Sequence, residues 1–211
     1  ETILTAGTDD EPEEILSESR IDSQMCFRLV KIGNKNHYLM LYYETDTGET
    51  ISMILNGMAY YNRTMRPLNV GTNGYFVLKD HNGIVLMHPQ AEQWGIDVIH
   101  GREKMFPGKN LTSLNTMIDR QKQGLTAVDE YYSYWWTKQG APGVEKVSAY
   151  TPVYIGKDFI IVSAVMDQSD MYVPLEEGAL KLLLVFTGVL FTILAAASYI
   201  FHLMLKGRKD R

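Results

Sequence analysis

The residues best equipped for chemistry in this 211-residue chain fall in one short stretch, Tyr131-Tyr-Ser-Tyr-Trp-Trp136. In an extended strand, successive side chains point to opposite faces, so Tyr132, Tyr134 and Trp136 share one face while Tyr131, Ser133 and Trp135 share the other. Tyrosine hydroxyls and an indole N–H give a mainly apolar pocket a few directed hydrogen bonds, the usual make-up of a small-molecule site. One of the two aromatic rows must face inward. Asp167, near the end of a later strand, can hold a ligand ammonium, and Lys109 can pair with a carboxylate. The plainer alternatives are a strand-end cap for Asp167 and a solvated Lys109.

Enzymatic chemistry is poorly provided for. His37, His81, His88, His100 and His202 are scattered, with no His-x-x-x-His or His-Glu-x-x-His spacing to build a metal site. There is no Gly-x-Ser-x-Gly elbow, no phosphate-binding Walker loop and no dinucleotide fingerprint, so neither cofactor nor metal is expected. Asp129-Glu130 and Glu176-Glu177 are adjacent pairs, which read as solvated charge. His88, just before Pro89, reads as a structural histidine. Cys26 is the single cysteine, so no internal disulfide forms, and its apolar surroundings mark a buried, inert thiol.

Several elements must position these residues. Gly74 to Pro89 is the clearest hairpin: Tyr75 to Leu78 and Ile84 to Met87 flank Asn82-Gly83, a dipeptide suited to the positive φ of a tight turn, and Pro89 stops the second strand. Residues 1–20 form an acidic lead-in, either a short helix opened by Pro12 or disordered. Residues 21–70 read as a hairpin, Cys26 to Ile32 and His37 to Glu44, followed by an amphipathic helix over 48–66. That helix carries Ile51, Ile54, Leu55, Met58 and Met65 on one face, with Thr47 or Thr50 as its cap and Pro67 as its stop. A long connection from Gln90 to Thr126 holds one helical patch, Leu111 to Gln121, and a segment of that length usually lines a pocket. Three more strands follow, Asp129 to Thr137, Glu145 to Val153 and Phe159 to Asp167, as an antiparallel meander.

The carboxy-terminal part differs in kind. Leu182 to Leu205 is free of Asp, Glu, Lys and Arg, enough for a helix of roughly 36 Å against a hydrocarbon core of about 30 Å, and is expected to span a membrane. Residues 206–211 carry a net charge of +3 and residues 1–180 one of −9, so the tail should be cytoplasmic and the acidic bulk outside. Such an acidic ectodomain would repel nucleic acid. Gly188, Thr192 and Ala196 recur every fourth residue and would let two helices approach closely in a homodimer. A chain that begins with Glu1 and ends six residues beyond the span is expected to be a fragment, lacking an amino-terminal anchor and a cytoplasmic part.

Taken together, the sequence resembles a Cache domain, the PAS-like extracytoplasmic sensor module of bacterial transmembrane receptors. The resemblance is carried, in order, by the hairpin Gly74-Tyr-Phe-Val-Leu-Lys-Asp-His-Asn-Gly-Ile-Val-Leu-Met-His-Pro89, by Gly108-Lys-Asn-Leu111, by Tyr131-Tyr-Ser-Tyr-Trp-Trp-Thr-Lys-Gln-Gly140, by Lys146-Val-Ser-Ala-Tyr-Thr-Pro152 and by the apolar strand Phe159 to Val165. It covers about residues 71–170. It implies an α+β fold, a PAS-like antiparallel sheet of about five strands with flanking helices, followed by the transmembrane helix. It also implies a pocket between the sheet and the long connection for a small ligand, an organic acid, amino acid or amine. On family spacing the row Tyr132, Tyr134 and Trp136 would line it, with Trp94, Lys109, Tyr150 and Asp167 around them. The amino-acid-binding variety of the family uses an Arg that is missing from Tyr131 to Trp136. The function implied is ligand sensing for a histidine kinase, chemoreceptor or cyclic-dinucleotide enzyme, with no catalysis in the fragment itself. The alternative is a membrane-tethered accessory subunit, which the lack of cysteine pairs disfavours.

Overall fold

The structure, a computed structural model, describes residues 4–6, 14–33, 36–68, 70–134 and 143–209, with side chains for all of these except 4–6, 173–177 and 195–209. The fold is α+β and its first unit, residues 1–168, is built on two five-stranded antiparallel sheets.

The first sheet comes from the amino-terminal quarter of the chain: β1 (Leu4–Ala6), β2 (Glu14–Arg20), β3 (Met25–Ile32), β4 (Asn36–Glu44) and β5 (Thr50–Asn56), in the order β1-β5-β4-β3-β2. The hairpin of β3 and β4 is where the sequence places it, with Cys26 opposite Tyr42 and Ile32 opposite Asn36. Two expectations are corrected. Residues 14–20 are a strand rather than a helix or a disordered lead-in, held to β3 by its ladder and by the Arg28 Nε donating to Glu18 at 2.7 Å. The helix expected over 48–66 is a strand for its first half and only then α1 (Gly57–Thr64). Ile54 and Leu55 satisfy a helical period, but pairing with β4 from Glu44↔Thr50 to Tyr38↔Asn56 sends them to opposite faces of the sheet. Ile54 joins Val30 and Met40 on one side, and Leu55 packs against Leu29 and Leu39 on the other. Non-local pairing has outweighed local periodicity. The cap of α1 is Asn56, whose Oδ1 accepts from the Ala59 N–H at 3.0 Å.

The second sheet is the antiparallel five-stranded one that the Cache resemblance implies. It contains β6 (Tyr75–Asp80), β7 (Val85–Met87), β8 (Ala127–Ser133), β9 (Val144–Ile155) and β10 (Asp158–Asp167), in the order β7-β6-β10-β9-β8. The turn between β6 and β7 closes at Asn82-Gly83. Asp80 Oδ1 accepts from the N–H groups of Asn82 (2.9 Å) and Ile84 (2.8 Å), and Gly83 takes φ +88°, which only glycine adopts freely. The strand expected over 129–137 runs from Ala127 to Ser133, and residues 135–137 lie outside the described residues.

The long connection contains two helices, α2 (Val98–Met105) and α3 (Thr112–Lys122). The second matches the apolar patch read from Leu111 to Gln121. The first was not foreseen, although Asp97 is a strong cap whose Oδ1 accepts from Ile99 N and His100 N. Both pack on one face of the second sheet, burying Val77, Val85, Val98, Leu114, Met117, Ile118, Ile161 and Val165. The opposite face meets the first sheet through Leu29, Leu39, Leu86, Met87 and Trp94.

The second unit, residues 169–211, belongs to a single helix, α4 (Gln168–Lys209), which starts at the residue after β10. Its described apolar side chains, Leu182 to Phe186 and Val189 to Leu194 among them, are exposed. Among the described residues no helix is long and apolar enough to cross a membrane. The side chains of the expected span from 195 onward lie outside them, as does Ala196 of the small-residue row.

Candidate ligand-binding site

The helix-covered face of the second sheet holds a small, partly open cavity of about 40 Å³, room for about three waters. Strand alternation selects its walls. Tyr75, Val77 and Lys79 come from β6, Tyr131 and Ser133 from β8, and Ser148 and Val165 from β9 and β10. Arg102 of α2, the apolar side chains Leu114, Met117 and Ile118 of α3, and His88 after β7 close it.

Its polar groups are unusually cationic for a buried place. Lys79 is 5% exposed and its Nζ donates to Ser163 Oγ at 3.1 Å. Burial, reinforced by the nearby Arg102, pulls its pKa from 10.5 down to about 7. Burial also lowers the Arg102 guanidinium, which still remains charged at neutral pH. Beside the cavity, Lys146 and Asp167 form a buried ion pair at 3.2 Å, with Lys146 Nζ 4.9 Å from the Tyr75 ring centroid. Asn73 Nδ2 donates to the other Asp167 oxygen at 3.4 Å.

His88 is fully buried, and its Nδ1 accepts from the Gln90 N–H at 3.0 Å. That bond fixes a neutral ring with its proton on Nε2. Desolvation and the positive field of Arg102 hold its pKa well below the usual imidazole value. Tyr75 stacks edge-on against His88 at 5.2 Å. Burial raises the pKa of both Tyr75 and Tyr131 well above the ordinary phenol value, so each keeps its hydroxyl proton. The site can therefore offer an anion charged groups, an imidazole N–H and phenol hydroxyls, most of them on buried side chains.

None of the described residues proposed from the sequence lines this cavity, although Asp167 and Tyr150 lie close to it. Tyr132 is 39% exposed and does not line the cavity, because the pairing of Tyr131 with Lys146 puts Tyr131 and Ser133 on the inner face of β8. Tyr132, Tyr134 and Lys109 instead meet on the rim. The two tyrosine rings pack edge-on at 5.5 Å, and Lys109 Nζ lies 5.2 Å from the Tyr134 centroid. Trp136 lies outside the described residues.

Tyr150 is buried on the same sheet face but donates its hydroxyl to Asp129, and with burial this pushes its pKa up to about 12. Asp167 is held by Lys146 rather than capping the strand or waiting for an ammonium. Trp94 sits on the opposite face of the sheet, where its indole N–H donates to the His88 carbonyl at 2.8 Å. His88, read as purely structural, is a wall of the cavity.

The residues that sequence reasoning missed are Lys79, Arg102, Lys146, Tyr75, Tyr131 and Ser133. A signal existed for two of them: Lys79 is in phase with Tyr75 and Val77, and Lys146 is in phase with Ser148 and Tyr150, so each puts a charge on a core face.

No protein-family model and no curated protein matches the chain. Solved structures similar to it are sensory domains. One is the ligand-binding domain of the Pseudomonas aeruginosa PAO1 amino acid chemoreceptor PctB in complex with L-Gln, with 14% identity, 77% of this chain and 59% of that one covered, and a TM-score of 0.48. Another is the periplasmic sensory domain of the Campylobacter jejuni chemoreceptor Tlp1, with 11% identity, 82% and 52% covered, and a TM-score of 0.47. The ligand-binding domain of the Pseudomonas fluorescens chemoreceptor CtaA in complex with L-isoleucine gives 13% identity, 82% and 55% covered, and a TM-score of 0.44. The chain spans about half the length of the solved structures it matches. At this identity and with TM-scores below 0.5, the activities of those receptors are not carried over to it.

Proposed function

We propose that residues 1–168 are an extracytoplasmic sensor unit that binds a small carboxylate-bearing anion in the cavity of the second sheet. The observation that carries this reading is the charge inside it. Lys79 and Arg102 line it and are both buried, and Asp167, the acid beside it, is held by Lys146. A buried ammonium such as that of Lys79, which donates to the uncharged Ser163 hydroxyl, is costly unless an opposite charge reaches it, and a bound carboxylate supplies one. The same argument disfavours an amine, whose charge would add to theirs. The small volume favours a ligand of a few heavy atoms, and a larger one requires α2 and α3 to move outward.

The wider reading is that of a receptor fragment. Leu182 to Leu205 of α4 would span the membrane, with the basic tail inside and a second copy paired along Gly188, Thr192 and Ala196. Ligand binding then acts on α4, which follows directly on β10, the central strand of the sheet that carries the site. Signal passes only to the extent that two arrangements of the site differ in affinity for the ligand. A kinase, chemotaxis transducer or cyclic-dinucleotide enzyme would be the output.

Calorimetric titration of the 211-residue chain in detergent, with acetate, lactate, ethylamine and glucose, tests the site. Binding of the carboxylates alone is expected. Filling the cavity with Ser133→Leu should abolish it, while Tyr132→Ala on the outer face should leave it unchanged. Loss of binding in Tyr132→Ala but not in Ser133→Leu would place the ligand elsewhere.

A further inference from the structure

We propose that anion binding in this cavity is coupled to uptake of one proton by Lys79, so that the site reads an anion and acidity together. The inference rests on the assignment of the cavity as the ligand site and concerns how that site is regulated.

The surroundings of Lys79 carry it. Its Nζ meets the Ser163 hydroxyl, an uncharged partner that can accept from an ammonium or donate to a neutral amine. The charged and titratable groups in the cavity wall, and the Lys146–Asp167 pair beside it, come from the elements around it. On its own strand, β6, there is Tyr75, which stays protonated. Arg102 of α2 is a second cation, and its field acts directly on Lys79. His88, after β7, is neutral, with its Nδ1 engaged by the Gln90 N–H. Tyr131 of β8 is a neutral phenol. Lys146 of β9 is a third cation, bound to Asp167 of β10. The residues of α3 that reach the cavity are Leu114, Met117 and Ile118, which bring no charge.

Among the described residues, therefore, no acid lines the cavity to hold a proton on Lys79, while desolvation and Arg102 both act to remove it. The amine titrates near neutrality, at about 7. An anion entering the same space reverses the balance, because an opposite charge within about 4–6 Å favours the ammonium form. Binding and protonation then promote each other equally, as linkage requires. The proton comes from solvent and goes onto Nζ, with no bond made or broken elsewhere. Two other groups are poor recipients: the His88 ring sits among three cations with one nitrogen already bonded, and Asp167 is paired.

The test uses the full chain in detergent with acetate as the probe, titrated at pH 6, 7 and 8 in two buffers of different ionisation enthalpy. If Lys79 is the acceptor, affinity falls roughly tenfold from pH 6 to pH 8, and proton uptake rises toward one per acetate at pH 8. Lys79→Arg, which stays charged, should bind with little dependence on pH. In ligand-free protein carrying ¹³C at lysine Cε, one lysine signal missing from Lys79→Met should titrate near pH 7. Equal affinity at pH 6 and 8 with no proton uptake overturns the coupling but leaves the site in place. A pH dependence that persists in Lys79→Arg assigns the proton to another group and overturns it as well. Failure of acetate to bind at any pH overturns both the coupling and the carboxylate reading beneath it, whereas acetate binding together with a Lys79 signal that does not titrate near pH 7 overturns the coupling alone.

Discussion

Replacing Lys79 by Met should make the ligand-free protein more stable, and by an amount that depends on pH in a defined direction. In the unfolded chain the amine holds its proton up to about 10.5; in the folded one it releases it near 7. That difference of about 3.5 units corresponds to about 5 kcal/mol of destabilisation well below pH 7, and to about 4 kcal/mol at pH 7. Between the two pKa values the unfolded state binds more protons, so the stability of the native protein rises with pH, by about 1 kcal/mol from pH 6 to pH 8 through this group alone. Methionine removes the charge at similar length. It also removes the hydrogen bond to Ser163 and leaves a buried hydroxyl with one partner fewer, at about 1–2 kcal/mol. A net gain of about 2–3 kcal/mol at pH 7 is expected. Urea unfolding followed by tryptophan fluorescence at pH 6, 7 and 8 measures it, Trp94 being a buried reporter in the inter-sheet core. The difference between variant and wild type should shrink as pH rises. A variant no more stable than wild type, or a difference indifferent to pH, would refute the claim that Lys79 is a strained cation. The same substitution should weaken acetate binding, since the charge that burdens the empty fold is the one the anion meets.

Two further substitutions test the frame of the site. Asp167→Asn leaves Lys146 buried without its counter-charge and should cost about 3–5 kcal/mol in urea unfolding, much of it recovered in the double variant with Lys146→Met. Gly156→Ala should lower stability by about 1–3 kcal/mol or more, seen as a lower thermal midpoint. Gly156 holds φ +65° in the turn between β9 and β10, and an added Cβ would run into the Ile21 carbonyl, where the end of the first sheet meets that turn. An unchanged midpoint would mean that this contact is not maintained.

The parts of the fold that could be read from the sequence are those decided locally. Asn82-Gly83 closes the β6–β7 hairpin through its own turn chemistry, helped by Asp80, two residues away. Helix α3 announces itself because Leu114, Met117 and Ile118 sit at helical spacing in a segment free of β-branched runs. Residues 50–56 failed because their apolar pattern satisfies two periods at once. The choice between them lies with β4, a partner whose pairing no local pattern encodes. Of the first sheet only the β3–β4 hairpin could be read, for the same reason: β2 becomes a strand only against β3.

The site failed at a single parity. Both faces of Tyr131 to Trp136 carry aromatic rings, so aromatic content cannot tell inside from outside. The phase is set by β9, where Lys146 lies opposite Tyr131. Lys79 and Lys146 themselves carried the missing information, since each is a charged residue on the core face of an otherwise buried strand. Such a breach of the binary pattern is an error in a protein built only to be stable. Placed in and beside a largely buried cavity, and tolerated despite its cost, such a breach is what the proposed reading, a site completed by its ligand, would require.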